Sequence, residues 1–252
     1  MNETPLLRAR ELTKTFHSTE PPTQVLRGIS LDVARGEFCS IMGASGSGKS
    51  TLLYTLSGMD RPTSGVVELD GRAITSLDDA QMSRVRLTQM GFVFQQAHFL
   101  RNLDIRDNVL LPALKASGEP AASERVDALL ERFGIAELAD HAITQVSGGQ
   151  LQRAAICRAL ATGPAIVFAD EPTGALNSSM TQEVLDVLTE VHAGGATIVM
   201  VTHDPTCAAR ADRVLYLRDG LVVDEFARGP WVRGEARARE AEVHAWLAGH
   251  GF

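Results

Sequence analysis

Gly43-Ala44-Ser45-Gly46-Ser47-Gly48-Lys49-Ser50 stands directly after the apolar run Phe38–Met42 and directly before the helix-forming residues 51–56. A glycine, four residues and then Gly-Lys-Ser is the spacing of a phosphate-binding loop. Glycines let the backbone turn tightly enough for its N–H groups to converge on phosphate oxygens, and the helix that follows adds the positive end of its dipole. Lys49 has the reach for β- and γ-phosphates, and the Ser50 hydroxyl is a ligand for Mg²⁺. The bland alternative is an incidental Gly/Ser-rich turn, which the strand–loop–helix setting argues against. The stretch reads as a nucleotide site.

Working outward, short apolar runs alternate with longer amphipathic stretches. Residues 66–69 and 91–94 read as strands, and 165–169 and Thr197–Val201 as strands buried on both faces of a parallel sheet. Between the last two, Val184, Leu185, Leu188 and Val191 recur at helical spacing over residues 178–192. Runs 213–217 and 221–224, split by Asp219-Gly220, form a late antiparallel hairpin. The alternation predicts an α/β fold with a mainly parallel sheet. From about 107 to 161 the text reads as helices and turns, clearest at 123–133, and is taken as a helical insert. Beyond Glu225 the composition shifts to Arg, Glu, Ala and Gly, and residues 235–247 read as a solvated, peripheral helix.

Composition narrows the class. Of 252 residues, 44% are hydrophobic and 22% charged, which excludes disordered, collagen-like and disulfide-scaffold proteins. A net charge of −7 makes the chain a poor polyanion binder, so no nucleic-acid partner is expected. Cys39, Cys157 and Cys207 are odd in number and lack metal-ligand spacing, so they read as reduced, packed thiols. MNETPLLRAR lacks the basic start and apolar run of a signal peptide, and no window offers roughly 18 apolar residues. The expectation is a cytoplasmic chain that does not itself cross a membrane.

Other residues carry chemistry. The run Ile166-Val167-Phe168-Ala169-Asp170-Glu171 ends in two carboxylates. Asp170 is placed to hold Mg²⁺ through water, and Glu171 to orient or deprotonate an attacking water; alternatively the pair caps a turn. His203, in Thr202-His203-Asp204, is open between a structural role and contact with the γ-phosphate and the water. Gln95 is equally open, its amide being able to reach Mg²⁺ and the water while joining the core to the insert. Val146-Ser147-Gly148-Gly149-Gln150 opens a long helix and makes a second anion-binding N-terminus. One triphosphate does not need both from the same chain. A head-to-tail dimer answers this, with ATP between one copy's phosphate loop and the other's Ser147-Gly148-Gly149.

Taken together, these segments resemble the ATP-binding cassette (ABC) family of ATPases over roughly residues 6 to 225, in the family's order. Gly43, Ala44, Ser45, Gly46, Ser47, Gly48, Lys49, Ser50 and Thr51 are similar to Walker A, Gln95 to the Q-loop, and Val146 to Gln150 to the signature. Asp170 and Glu171 resemble Walker B, and His203 the switch histidine. The resemblance implies a P-loop NTPase of ABC type, with a parallel core, an antiparallel β portion, a helical subdomain at about 96–162 and a tail at 226–252. It implies ATP hydrolysis with Mg²⁺ held by Ser50, Gln95 and Asp170; catalysis by Glu171, His203 and Gln95; and nucleotide contacts from the loop residues and from Ser147, Gly148, Gly149 and Gln150. Phe16 would be the adenine-stacking aromatic, often tyrosine in relatives. Val146 replaces the usual leucine, and Asn177 stands where most relatives have aspartate.

Several strings narrow the resemblance. Residues 57–65 and 90–96 are similar to the lipoprotein-release and macrolide-export group; 102–108 and 175–178 are most similar to bacitracin-type antimicrobial-peptide export and resistance. This implies a motor peripheral on the inner face of the cell membrane, driving a separate integral permease. Residues 97–108 would line a groove for that permease, with Phe99, Leu100 and Leu103 as its apolar contacts. The alternatives are a regulatory, cell-division-type or lipoprotein-release ATPase and, further off, a soluble non-transport cassette. Tandem cassettes, coiled coils or zinc modules would mark the last, and none is present in the sequence.

Overall fold

The computed structural model describes residues 4–18 and 20–251, which divide into two compact units, 1–82 with 196–252 and 83–195. In chain order the elements are β1 (Leu7–Phe16), β2 (Thr23–Val33), β3 (Phe38–Met42), α1 (Lys49–Leu56), β4 (Ser64–Leu69), β5 (Arg72–Ala73), α2 (Asp79–Gln89) and β6 (Met90–Phe94). They continue as α3 (Ile105–Ser117), α4 (Ala121–Arg132), α5 (Gly148–Leu160), β7 (Ile166–Asp170), α6 (Ser178–Ala193), β8 (Thr197–Val201), α7 (Pro205–Ala208), β9 (Arg213–Arg218), β10 (Leu221–Ala227) and α8 (Ala236–Ala248).

The first unit holds an antiparallel sheet, β2-β1-β4-β5, and the strands β10-β9-β3-β8. β3 is parallel to both β8 and β9, and β10 returns antiparallel along β9. All five residues of β3 and of β8 are buried, as strands covered on both faces require. β1 and β2 are the two longest strands, and β1 escapes a period-2 scan for a local reason. Glu11 sits at φ 49°, and the pairing slips between Ala9 and Leu12. This bulge puts buried Leu7, Ala9 and Leu12 out of simple alternation.

The sequence reading of the tail needs correcting. α8 is anchored, with Val243 and Leu247 packed into a cluster with Met42, Ala208, Ala209, Val214 and Tyr216. Arg239, 1% exposed, donates to the carbonyls of Ala211 and Pro230. Trp246 Nε1 donates to Asp224 Oδ2 at 2.9 Å, and the same oxygen lies 2.8 Å from His250 Nε2. Sparse apolar positions separated by Arg, Glu and Ala concealed this narrow buried stripe.

In the second unit β6 and β7 form a parallel pair. α5 lies so close to β6 that a Cβ on Gly91 would overlap the Ala159 carbonyl oxygen. α3, α4 and α5 bury Val109, Ala113, Val126, Leu130, Ile156 and Cys157. Residues 96–162 contain no strand among the described residues, only a single bridge between Asp104 and Ala142.

Candidate functional site

The phosphate loop is shaped by backbone contacts from the β9–β10 hairpin. A Cβ on Gly43 would run into the Leu217 carbonyl oxygen and lie 2.8 Å from Ser47 Oγ, so only glycine fits. Gly220 N–H donates to the Ser47 carbonyl at 3.2 Å, and Ser47 N–H to Ala44 O at 3.2 Å. Lys49 Nζ donates to the carbonyls of Gly43 and Ala44 at 2.8 and 3.0 Å, which draws the loop around its ammonium. Gly46, at φ 81°, has no atom within 4 Å of its missing Cβ. Gly48 caps α1 without a side chain, leaving the first N–H donors of the helix for an anion. Ser47 Oγ is buried and has no hydrogen-bond partner. An open cradle, an orphaned hydroxyl, helix N–H donors and a lysine fit a triphosphate.

His203 reaches the same edge by register. β3 and β8 pair Ile41 with Val201, so Gly43 and His203 lie two residues beyond the same rung. Thr202 N–H donates to Ile41 O at 3.2 Å, fixing the exposed His203 next to the strand that feeds the loop. Phe16, at the end of β1, is 37% exposed. The Lys14 ammonium lies 5.1 Å from its ring centroid, and Asp60 Oδ1 and Arg61 O hold that ammonium at 2.5 and 2.7 Å.

The second unit brings another group together. β6 and β7 pair Phe94 with Asp170, so Gln95 and Glu171 emerge at one carboxyl-terminal edge, where ligands of open α/β sheets bind. Gln95 Nε2 lies 2.9 Å from where a Cβ of Gly174 would stand. Glu171 adopts φ 47°, a left-handed backbone that costs a non-glycine residue about 1 kcal/mol and recurs at functional sites. Asp170 is 9% exposed. Within this unit Gln95 and Asp170 present oxygen atoms of the hard kind that Mg²⁺ takes, and Ser50 presents one in the first unit.

Ser147 caps α5 through a full capping box: its Oγ accepts from Gln150 N–H at 3.3 Å, and Gln150 Oε1 accepts from Ser147 N–H at 2.8 Å. The Gln150 side chain is thereby engaged in shaping the helix end, while Gly148 is exposed there and Gly149 packs against Met180. Asn177 caps α6, its Oδ1 accepting from Met180 N–H at 3.0 Å, a task asparagine performs as well as aspartate. A groove of about 440 Å³ runs between Gln95, Phe99, Gly148, Leu151 and Leu176. Of the three apolar contacts expected there, Phe99 lines it; Leu100 is 49% exposed, and neither Leu100 nor Leu103 belongs to its wall.

Residues 26–174, with the phosphate loop, Gln95, the Ser147 helix and the Asp170-Glu171 strand end, match the ABC transporter family. The chain belongs to that family.

The cassette is 41% identical over 249 residues to a macrolide export ATP-binding/permease protein, MacB, of Brucella melitensis, covering 98% of this chain and 38% of that one. It is 45% identical over 216 residues to MacB of Chlorobaculum tepidum, covering 85% and 33%. The chain thus spans about a third of the length of these relatives. Among solved structures, the dimeric bacterial ABC transporter cassette MJ0796 superposes with a TM-score of 0.81 at 39% identity, covering 88% of this chain and 99% of that one. The same cassette bound to ADP and Pi in a post-hydrolysis dimer scores 0.81. CbiO1 of Clostridium perfringens scores 0.80 at 29% identity, covering 96% and 92%. The fold is that of an ABC ATPase, and no described helix is long and apolar enough to cross a membrane.

Residues that the sequence reading passed over support this site. Gly220 and Leu217 press on the phosphate loop from a hairpin far along the chain. Lys14 backs Phe16. Gln152 and Arg158, on α5, tie down the backbone around Gln95, and burial brings the Arg158 guanidinium down to about 10. The Asp219-Gly220 turn is readable as a turn, but what it touches is not.

Proposed function

We propose that the cassette is the ATP-hydrolysing motor of a bacterial exporter, working as a head-to-tail pair of copies around two ATP. The observation that carries this is the presence in one chain of two glycine-bordered helix N-termini, that of α1 behind the phosphate loop and that of α5 behind Ser147. Each is an anion site, and a single triphosphate on one chain does not call for both. The described dimers of MJ0796 support pairing.

Each residue has a task in this reading. Gly43, Ala44, Ser45, Gly46, Ser47, Gly48 and Thr51 wrap the phosphates; Lys49 exchanges its loop carbonyls for β- and γ-oxygens. Phe16 stacks on the adenine with the face that Lys14 leaves open. Ser50, Gln95 and Asp170 would hold Mg²⁺, which would supply positive charge to offset that of the phosphates. Glu171 accepts the proton of the attacking water, and Gln95 and His203 orient that water and the γ-phosphate. Ser147 Oγ, which accepts from Gln150 N–H and keeps its own hydrogen free to donate, turns that hydrogen toward the other copy's γ-phosphate, beside Gly148 and Gly149.

The partner is an integral-membrane permease, which puts the cassette at the cytoplasmic face of the cell membrane. The cargo class is an antibiotic or antimicrobial peptide, in line with relatives named for macrolide export. Tagged Glu171→Gln purified from the host's membranes with Mg-ATP should carry a multi-span permease with it. Recovery of the protein only from the soluble fraction, without such a partner, would refute the transport reading.

A further inference from the structure

Helix α5 does more than present Ser147. Five residues into it, about 7 Å along the axis, Gln152 is 3% exposed and donates from Nε2 to the Phe94 carbonyl at 2.9 Å. That carbonyl belongs to the last residue of β6, immediately before Gln95. Further along, Arg158 donates to the carbonyls of Ala97 and His98 at 2.5 and 3.2 Å, and its guanidinium lies 4.5 Å from the centre of the Phe99 ring. His98 between them holds φ 49°, a backbone that a histidine keeps only when its surroundings hold it there. The segment 94–99, with Gln95 inside it, is therefore fastened to α5 at both ends by buried or partly buried side chains. Gln95 in turn abuts Gly174, in the loop after Glu171.

We propose that Gln152 and Arg158 are positioning residues that make the Gln95 segment and the signature helix one rigid piece, so that nucleotide felt by Gln95 at a chain's own site sets how that chain's Ser147-Gly148-Gly149 end meets the other copy's nucleotide. This rests on the head-to-tail reading above and adds the wiring between its two sites. Neither residue touches nucleotide; each acts through the backbone it holds. Two sites linked in this way hydrolyse ATP cooperatively, with a Hill coefficient above one and at most the number of sites.

The test uses the full chain and three readouts: thermal unfolding, affinity for a fluorescent ATP analogue at protein concentrations that keep it monomeric, and hydrolysis rate against ATP concentration. Gln152→Leu removes the donor while keeping the bulk; Arg158→Lys keeps the charge and loses the fork that spans two carbonyls. Both variants should bind the analogue within about twofold of the parent, lose about tenfold in kcat, the factor one buried hydrogen bond is worth, and show a Hill coefficient near one. Arg158→Lys carries the same expectation should Gln152→Leu fold poorly. Folded variants that keep the parent's Hill coefficient would overturn the wiring while leaving the paired motor intact. A parent that stays monomeric and non-cooperative at saturating ATP would instead sink the head-to-tail reading, and the wiring with it.

Discussion

Two Asp-Gly turns give a matched test of how the phosphate loop is supported. Asp70-Gly71 and Asp219-Gly220 share nearly the same backbone, with aspartates at φ 50° and 51° and glycines at φ 75° and 76°. Their surroundings differ: a Cβ on Gly71 would meet nothing within 4 Å, whereas one on Gly220 would overlap the Val25 carbonyl oxygen well inside the 3.0 Å that real Cβ atoms keep. Gly71→Ala should therefore cost only the left-handed backbone, about 1 kcal/mol. Gly220→Ala carries the same strain plus a backbone-to-backbone clash that no rotamer relieves, a further 1–3 kcal/mol or so. Because Gly220 N–H also holds Ser47 O, the shift propagates into the loop, and ATP affinity should fall only in this variant. Denaturant midpoints of parent and both variants, with and without Mg-ATP, separate the two terms, since ATP stabilises the folded chain by RT ln(1 + [ATP]/Kd) and so by less when affinity falls. Equal midpoints for the two variants, or equal protection by ATP, would refute the argument that the hairpin braces the loop.

Other predictions follow from the same contacts. Leu247→Ala should cost about 2–3 kcal/mol, as for a buried leucine, whereas a solvated α8 would give less than about 0.5 kcal/mol in the same denaturation. Burial pushes the Cys39 and Cys157 thiols up to about 12, so the folded chain at pH 8 should resist an aromatic disulfide reagent that labels it after unfolding; prompt labelling of the native protein would contradict that. The Arg106 hydrogen bond at 2.7 Å holds the Asp127 carboxyl below its usual 3.8, so the pair's contribution is complete above that value and is lost as pH falls through the lower, folded one. Asp127→Asn should thus cost about 0.5 kcal/mol near neutrality after solvent screening, and the gap to the parent should close as the solution is acidified.

What the sequence disclosed and what it hid divide along physical lines. Strands buried on both faces announce themselves as continuous apolar runs, so β3, β7 and β8 were legible, and Thr197–Val201 agrees to the residue. The Ser147 cap was legible because capping chemistry is local, confined to four consecutive residues. β1 was not, because the bulge at Glu11 breaks its alternation. α2 was not, because only Met82 and Val85 of its eleven residues are buried apolar groups. The packing of α8 was not, because its stripe meets partners from other elements, one of them, Met42, about 200 residues away in the chain. For the candidate site, spacing pointed to the groups with reactive atoms but not to their braces, since Gly220, Gln152 and Arg158 act through contacts that exist only once the chain is folded.

Glu171 and pairing through ATP are the centre of the motor, and a single preparation tests both. Glu171→Gln should be mixed with Mg-ATP, its mass measured by light scattering, and its turnover compared with that of the parent. The account predicts a doubled mass that requires ATP, two nucleotides retained per pair, and hydrolysis at least about 10²-fold slower than the parent, the scale of a lost general base. A protein that stays single at saturating Mg-ATP, or a variant that hydrolyses ATP at the parent's rate, would contradict it.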